Sequence, residues 1–115
     1  MTESNEREVW YYRDYYLQFF NQLAPDVQKK FNWTLQLISD LKIIPKKYFD
    51  AIAGSKGLYE IRVEVGSNIF RVFCFFDKHT IIVLLNGFQK KTQKTPQKEI
   101  ILAKKLKKQY FNEKE

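Results

Sequence analysis

The sequence predicts an α+β fold: a mostly antiparallel four-stranded sheet carrying an N-terminal helical hairpin and a C-terminal helix. Three observations lead there. Between Leu58 and Phe88 the chain passes through successive runs of strand formers, separated by the turn residues Gly66-Ser67-Asn68 and Asp77-Lys78-His79. Upstream, Val27, Phe31, Leu35, Ile38 and Leu41 recur at three- and four-residue intervals, the stripe of an amphipathic helix. Ten Phe and seven Tyr in 115 residues favour a pleated surface with helices laid on it over a helical bundle. One domain spanning residues 1–115 is expected at this length, with 1–7 and 112–115 as flexible polar ends.

Val9 to Tyr12 is rich in strand formers and reads as the first strand. Tyr15 to Leu23 fits a short helix with Tyr16, Phe19, Phe20 and Leu23 on one face. Ala24-Pro25 breaks it, and Pro25 is suited to open a second helix that runs to about Leu41, with Asp26 complementing its positive N-terminus. Lys42 to Lys56 is a connector in which Tyr48, Phe49 and Ile52 suggest one helical turn. Leu58–Val65 alternates, setting Tyr59, Ile61, Val63 and Val65 against Leu58, Glu60, Arg62 and Glu64. Ile69–Phe76 is apolar on both faces apart from Arg71, as a central strand would be. Thr80–Phe88 forms the last strand, interrupted at Asn86-Gly87. Thr95 and Pro96 suit the N-cap and first position of a final helix whose apolar face carries Ile100, Ala103, Leu106 and Tyr110.

The formal net charge is +7, and the positive charge is concentrated from Lys90 onward, which points to a polyanionic partner. Cys74 is the one cysteine, so the chain forms no internal disulfide and no multi-cysteine metal site, and its Val and Phe neighbours read it as a buried hydrophobe. The polar start, MTESNERE, does not read as a secretion signal, and no apolar run reaches the ~18 residues of a membrane span. A soluble, cytoplasmic protein without metal or cofactor is expected.

Strands ending in the basic loop Gln89–Thr95 make a rigid platform with phosphate-attracting groups at one edge, which suggests a nucleic-acid surface. Arg62 and Arg71 are the candidates to stabilise phosphate charge, because guanidinium stays charged and offers paired donors that match phosphate oxygens. The alternatives are a surface pair with Glu60 or Glu64 for Arg62, and a structural ion pair for Arg71. Lys56, Lys90, Lys91 and Lys94 would grip the nucleic-acid backbone, unless they are merely solvated. His79, alone in a turn, and Tyr48, as a base-stacking side chain, are weaker candidates.

The segments Gly57-Leu58-Tyr59-Glu60-Ile61-Arg62-Val63, Phe70-Arg71-Val72-Phe73 and Gly87-Phe88-Gln89-Lys90-Lys91-Thr92-Gln93-Lys94-Thr95-Pro96, continued through Glu99-Ile100 to Ala103, together resemble the RelE/ParE toxin superfamily, in particular its phage-derived, HigB-like branch. The resemblance covers nearly the whole chain and is weakest before Pro25. It implies a type II toxin that cleaves mRNA on the ribosome, with a HigA-like helix-turn-helix antitoxin as partner. It also implies a metal-independent reaction in which the RNA 2′-hydroxyl attacks the neighbouring phosphate. Arg62, Arg71 and Lys91 would be the catalytic residues. The alternative is a binding module without catalysis, such as a ParE-like gyrase poison, an inactive toxin relative or a general cationic RNA-binding domain.

Overall fold

The elements run β1 (Glu8–Tyr11), α1 (Tyr15–Asn21), α2 (Pro25–Asp40), β2 (Phe49–Ala51), β3 (Tyr59–Val65), β4 (Asn68–Phe76), β5 (Ile81–Lys90) and α3 (Gln97–Lys114). They are taken from a computed structural model that describes residues 6–92 and 94–114. The strands form one sheet in the order β1-β5-β4-β3-β2. β1 pairs parallel with β5, and the other pairings are antiparallel.

The sheet therefore has five strands and is mixed, where four mostly antiparallel strands were expected. The additional strand is β2. Phe49, Asp50 and Ala51 pair with Ile61, Glu60 and Tyr59 instead of forming a helical turn. Three residues are too few for alternation to show in the sequence. Tertiary contact makes the strand: the Phe49 ring stacks on Tyr59 at 4.9 Å and meets Phe76 edge-on at 5.8 Å.

One face of the sheet is covered by α1 and α2, whose Tyr16, Val27, Phe31 and Ile38 pack with Ile61, Val63, Phe70, Val72, Ile82 and Leu84. The other face is covered by α3, which lays Ala103 and Leu106 over Leu58, Phe73, Phe75, Val83 and Leu85. Phe31 is fully buried and its ring meets those of Tyr16, Phe19 and Phe70, so it joins α1, α2 and the sheet. The two N-terminal helices thus work less as a self-contained hairpin than as two helices resting on one sheet, α1 chiefly on β5 and α2 on β3 and β1.

β5 is not interrupted at Asn86-Gly87. Val72 pairs with Gly87 and Cys74 with Leu84, so β5 carries one extra residue there, a bulge. Gly87 is required by α1, since a Cβ at this position would lie 2.5 Å from the Phe19 ring. The Asn86 side-chain amide donates to the Glu99 carbonyl at 3.1 Å and to its carboxylate at 2.9 Å, tying the first turn of α3 to the sheet. Pro96 stands one residue ahead of α3, where its carbonyl accepts from the Glu99 and Ile100 amides.

Arg7 donates to the carbonyls of Ile38, Leu41 and Lys42, satisfying groups left over at the end of α2. Asn112 to Lys114 continue α3. Residues 1–5 and 115 lie outside the described residues. Among the described residues no helix is long and apolar enough to cross a membrane.

Candidate functional site

Arg62 and Arg71 stand directly opposite each other across β3 and β4, and Arg71 stands opposite Phe88 on β5. Cross-strand partners share a face of the sheet, so these residues project on the same side as Phe73, the side that α3 covers. The next row toward the β3–β4 turn is Glu64, Ile69 and Lys90.

Glu60 lies between the two guanidiniums. Its carboxylate accepts from Arg62 Nε at 2.7 Å, and its other oxygen is 3.4 Å from Arg71 Nε. Arg62 also reaches Asp50 on β2 at 3.3 Å and the Lys46 carbonyl at 3.4 Å. Two guanidiniums and two carboxylates balance here, so the cluster contributes geometry and directed donors more than net charge. The two alternatives weighed from the sequence thus both describe the contacts: Arg62 pairs with Glu60, and Arg71 is a nearly buried ion-pair partner.

Arg71 differs from Arg62 in one respect. Its side chain is 9% exposed, yet its Nε lacks a hydrogen-bond acceptor, because the Glu60 contact is an ion pair without hydrogen-bond geometry. Burial pulls the Arg71 guanidinium below its ordinary pKa, the Glu60 charge opposes that shift and the Arg62 charge adds to it. A charged, buried donor without an acceptor is costly in a protein interior.

The remaining candidates scatter. Lys90 closes β5 at this end of the sheet, and Lys91 and Lys94 are exposed on the connector to α3. Tyr48 is close, since its carbonyl accepts from the Arg62 amide at 2.9 Å. Lys56 belongs to the other end: it lies in a turn with φ of 58°, its carbonyl bonded by Lys107, which in turn sits over the Phe75 ring. His79 is exposed in the β4–β5 turn, also at that far end. Neither Lys56 nor His79 joins the arginine cluster. Cys74 is fully buried, and burial pushes its thiol pKa up, away from reactivity. Among the described residues no three His, Cys, Asp or Glu side chains gather as a metal site would require.

Sequence reasoning passed over Asp50 and Trp33. Asp50 reaches Arg62 only because β2 pairs with β3, and Trp33 had no place in the apolar stripe of α2 that drew attention. Glu60 was visible as a neighbour of Arg62, but its contact with Arg71 depends on strand register.

Residues 18–108 match the model of the family described as phage derived protein Gp49-like (DUF891), a span that holds the whole arginine cluster, Trp33 and Tyr48. The chain belongs to this phage-derived family, which is a family of toxin–antitoxin toxins. No curated protein matches the chain.

Proposed function

We propose that this protein is the toxin of a type II toxin–antitoxin pair, an endoribonuclease that cuts mRNA held on the ribosome and thereby stops translation. The observation that carries the reading is the Arg62–Glu60–Arg71 cluster, with an unbonded buried Arg71 Nε, in a chain of the Gp49-like family. Cleavage by internal attack needs the 2′-hydroxyl positioned and deprotonated, the phosphoryl charge stabilised, and the 5′-oxygen protonated. Arg71 and the remaining donors of Arg62 bind the phosphoryl oxygens. Glu60 holds the two guanidiniums in place, Lys91, with Lys90 and Lys94, holds the strand and supplies positive charge beside the leaving oxygen, and water takes the 2′-hydroxyl proton and protonates the 5′-oxygen. The products are a 2′,3′-cyclic phosphate and a 5′-hydroxyl, and neither metal nor cofactor takes part. A HigA-like helix-turn-helix antitoxin neutralises the toxin, and both act in the cytoplasm.

Primer-extension mapping of an mRNA incubated with the purified protein, with and without translating ribosomes, tests this reading. Cuts at defined codon positions only with ribosomes present are expected, whereas no cuts in either case would favour the gyrase-poisoning or binding-only alternative. Arg62→Ala should abolish growth arrest while the protein stays folded; growth arrest by a folded variant would remove Arg62 from the mechanism.

A further inference from the structure

The outward face of α2 is not polar throughout. Trp33 is 51% exposed, and its indole meets the Tyr48 ring edge-on with centroids 5.6 Å apart. The Lys47 ammonium lies 5.0 Å from the Tyr48 ring centroid. Lys30, one turn before Trp33, donates to the Glu64 carbonyl at 2.8 Å and so bridges α2 to the end of β3.

This aromatic pair is continuous with the arginine cluster. A cleft of about 140 Å³ is lined by Lys30, Lys47, Tyr48, Arg62 and Glu64. A second hollow, lined by Asp26, Lys29, Lys30 and Trp33, opens beyond Lys30. Lys29, Lys30 and Lys47 flank the aromatic pair together with Arg62, which is itself tied to Glu60 and Asp50; the carboxylates lining these hollows are Asp26, Glu64 and, on the far side of Trp33, Asp40. Packing does not explain Trp33, since half of it lies in solvent while the core stripe of α2 uses Val27, Phe31 and Ile38. An exposed aromatic platform with lysine ammoniums beside it matches single-stranded nucleic acid, whose unpaired bases stack on such rings while its phosphates meet the lysines.

We propose that Trp33 and Tyr48 form a stacking subsite for an unpaired base of single-stranded RNA, with Lys30 and Lys47 beside its flanking phosphates. The subsite lies along the same strand path as the Arg62–Glu60–Arg71 cluster. It rests on the reading of the chain as an RNA-cleaving toxin, and it adds a part that reading does not require. The RNA would leave the arginine cluster across the edge of the sheet, past β2, and reach the outer face of α2.

The chain has two tryptophans, so Trp10→Phe leaves Trp33 as the sole indole reporter. This variant is titrated with a short dye-labelled single-stranded oligoribonucleotide, reading Trp33 emission and dye anisotropy in the same samples, while mRNA cutting on translating ribosomes is followed in parallel. Quenching of Trp33 with the same midpoint as the anisotropy change is expected. Trp33→Ala should weaken binding about fivefold or more, with Trp33→Phe recovering much of it.

Binding that leaves Trp33 emission unchanged, together with unaltered affinity and cutting by Trp33→Ala, would overturn the subsite and leave the toxin reading intact. So would equal quenching by duplex RNA. Loss of neutralisation by an antitoxin in Trp33→Ala, with RNA affinity unchanged, would overturn the subsite by assigning the surface to a protein partner. Absence of both RNA binding and cutting by the parent protein would overturn the toxin reading and the subsite together.

Discussion

The α3 side of the sheet has two ends that treat buried charge in opposite ways. Beyond the end of β4, the Asp77 carboxylate is buried and accepts from the Tyr110 hydroxyl at 2.6 Å and the Lys114 ammonium at 2.7 Å, both on the last part of α3. These two hydrogen bonds hold Asp77 below the ordinary carboxylate pKa, while burial and the same bond push Tyr110 up to about 12. At the other end, Glu60 is shared between Arg62 and Arg71, and the buried Arg71 Nε is left without an acceptor. The first arrangement uses its charges to anchor a helix. The second shares one carboxylate between two guanidiniums and leaves one buried Nε without a hydrogen-bond acceptor.

The comparison can be broken at either end. The largest effect is expected for Glu60→Ala, which leaves two guanidiniums facing each other with one of them nearly buried. A loss of about 3–5 kcal/mol, as for breaking a buried ion pair from one side, should appear in urea unfolding. A loss well below that range would mean that the guanidiniums escape to solvent and that the cluster is not a fixed constellation.

Asp77→Ala should cost less, about 1–3 kcal/mol, by leaving the Tyr110 hydroxyl and Lys114 without their acceptor. Its cost should also depend on pH. The lowered Asp77 pKa stabilises the fold above the unfolded value of 3.8, and that contribution is lost as pH falls through the folded value. The raised Tyr110 pKa stabilises the fold below 10.0 and is lost as pH rises toward about 12. Tm measured against pH should therefore show the gap between wild type and Asp77→Ala narrowing as pH falls below 3.8, and a gap that does not narrow in acid would contradict the assignment. Cutting by Asp77→Ala at neutral pH should be unchanged.

Much of this was legible in the residues because long elements announce themselves. The α2 stripe, the alternation of Leu58–Val65 and the turn at Gly66-Ser67-Asn68 correspond to α2, β3 and the β3–β4 turn. What stayed hidden depends on contacts between distant positions. β2 exists because Phe49 finds Tyr59 and Phe76, and β1 joins β5 in parallel through a pairing that no local pattern encodes. Asn86-Gly87 reads as a break, yet the glycine makes room for Phe19 and the asparagine holds α3. The site followed the same rule: Arg62 and Arg71 stood out as charges among apolar neighbours, but Glu60 as their shared partner and Asp50 as a brace required the register.

The most direct test of the arginine cluster is the cutting of mRNA on translating ribosomes by wild type and by Arg71→Ala, with fragment ends analysed and cooperative melting checked for both. Wild type is predicted to leave 2′,3′-cyclic phosphate and 5′-hydroxyl ends, and folded Arg71→Ala to cut slower by about two to three orders of magnitude, as when one preorganised transition-state donor is removed. A folded Arg71→Ala protein that cuts at the wild-type rate would contradict the account.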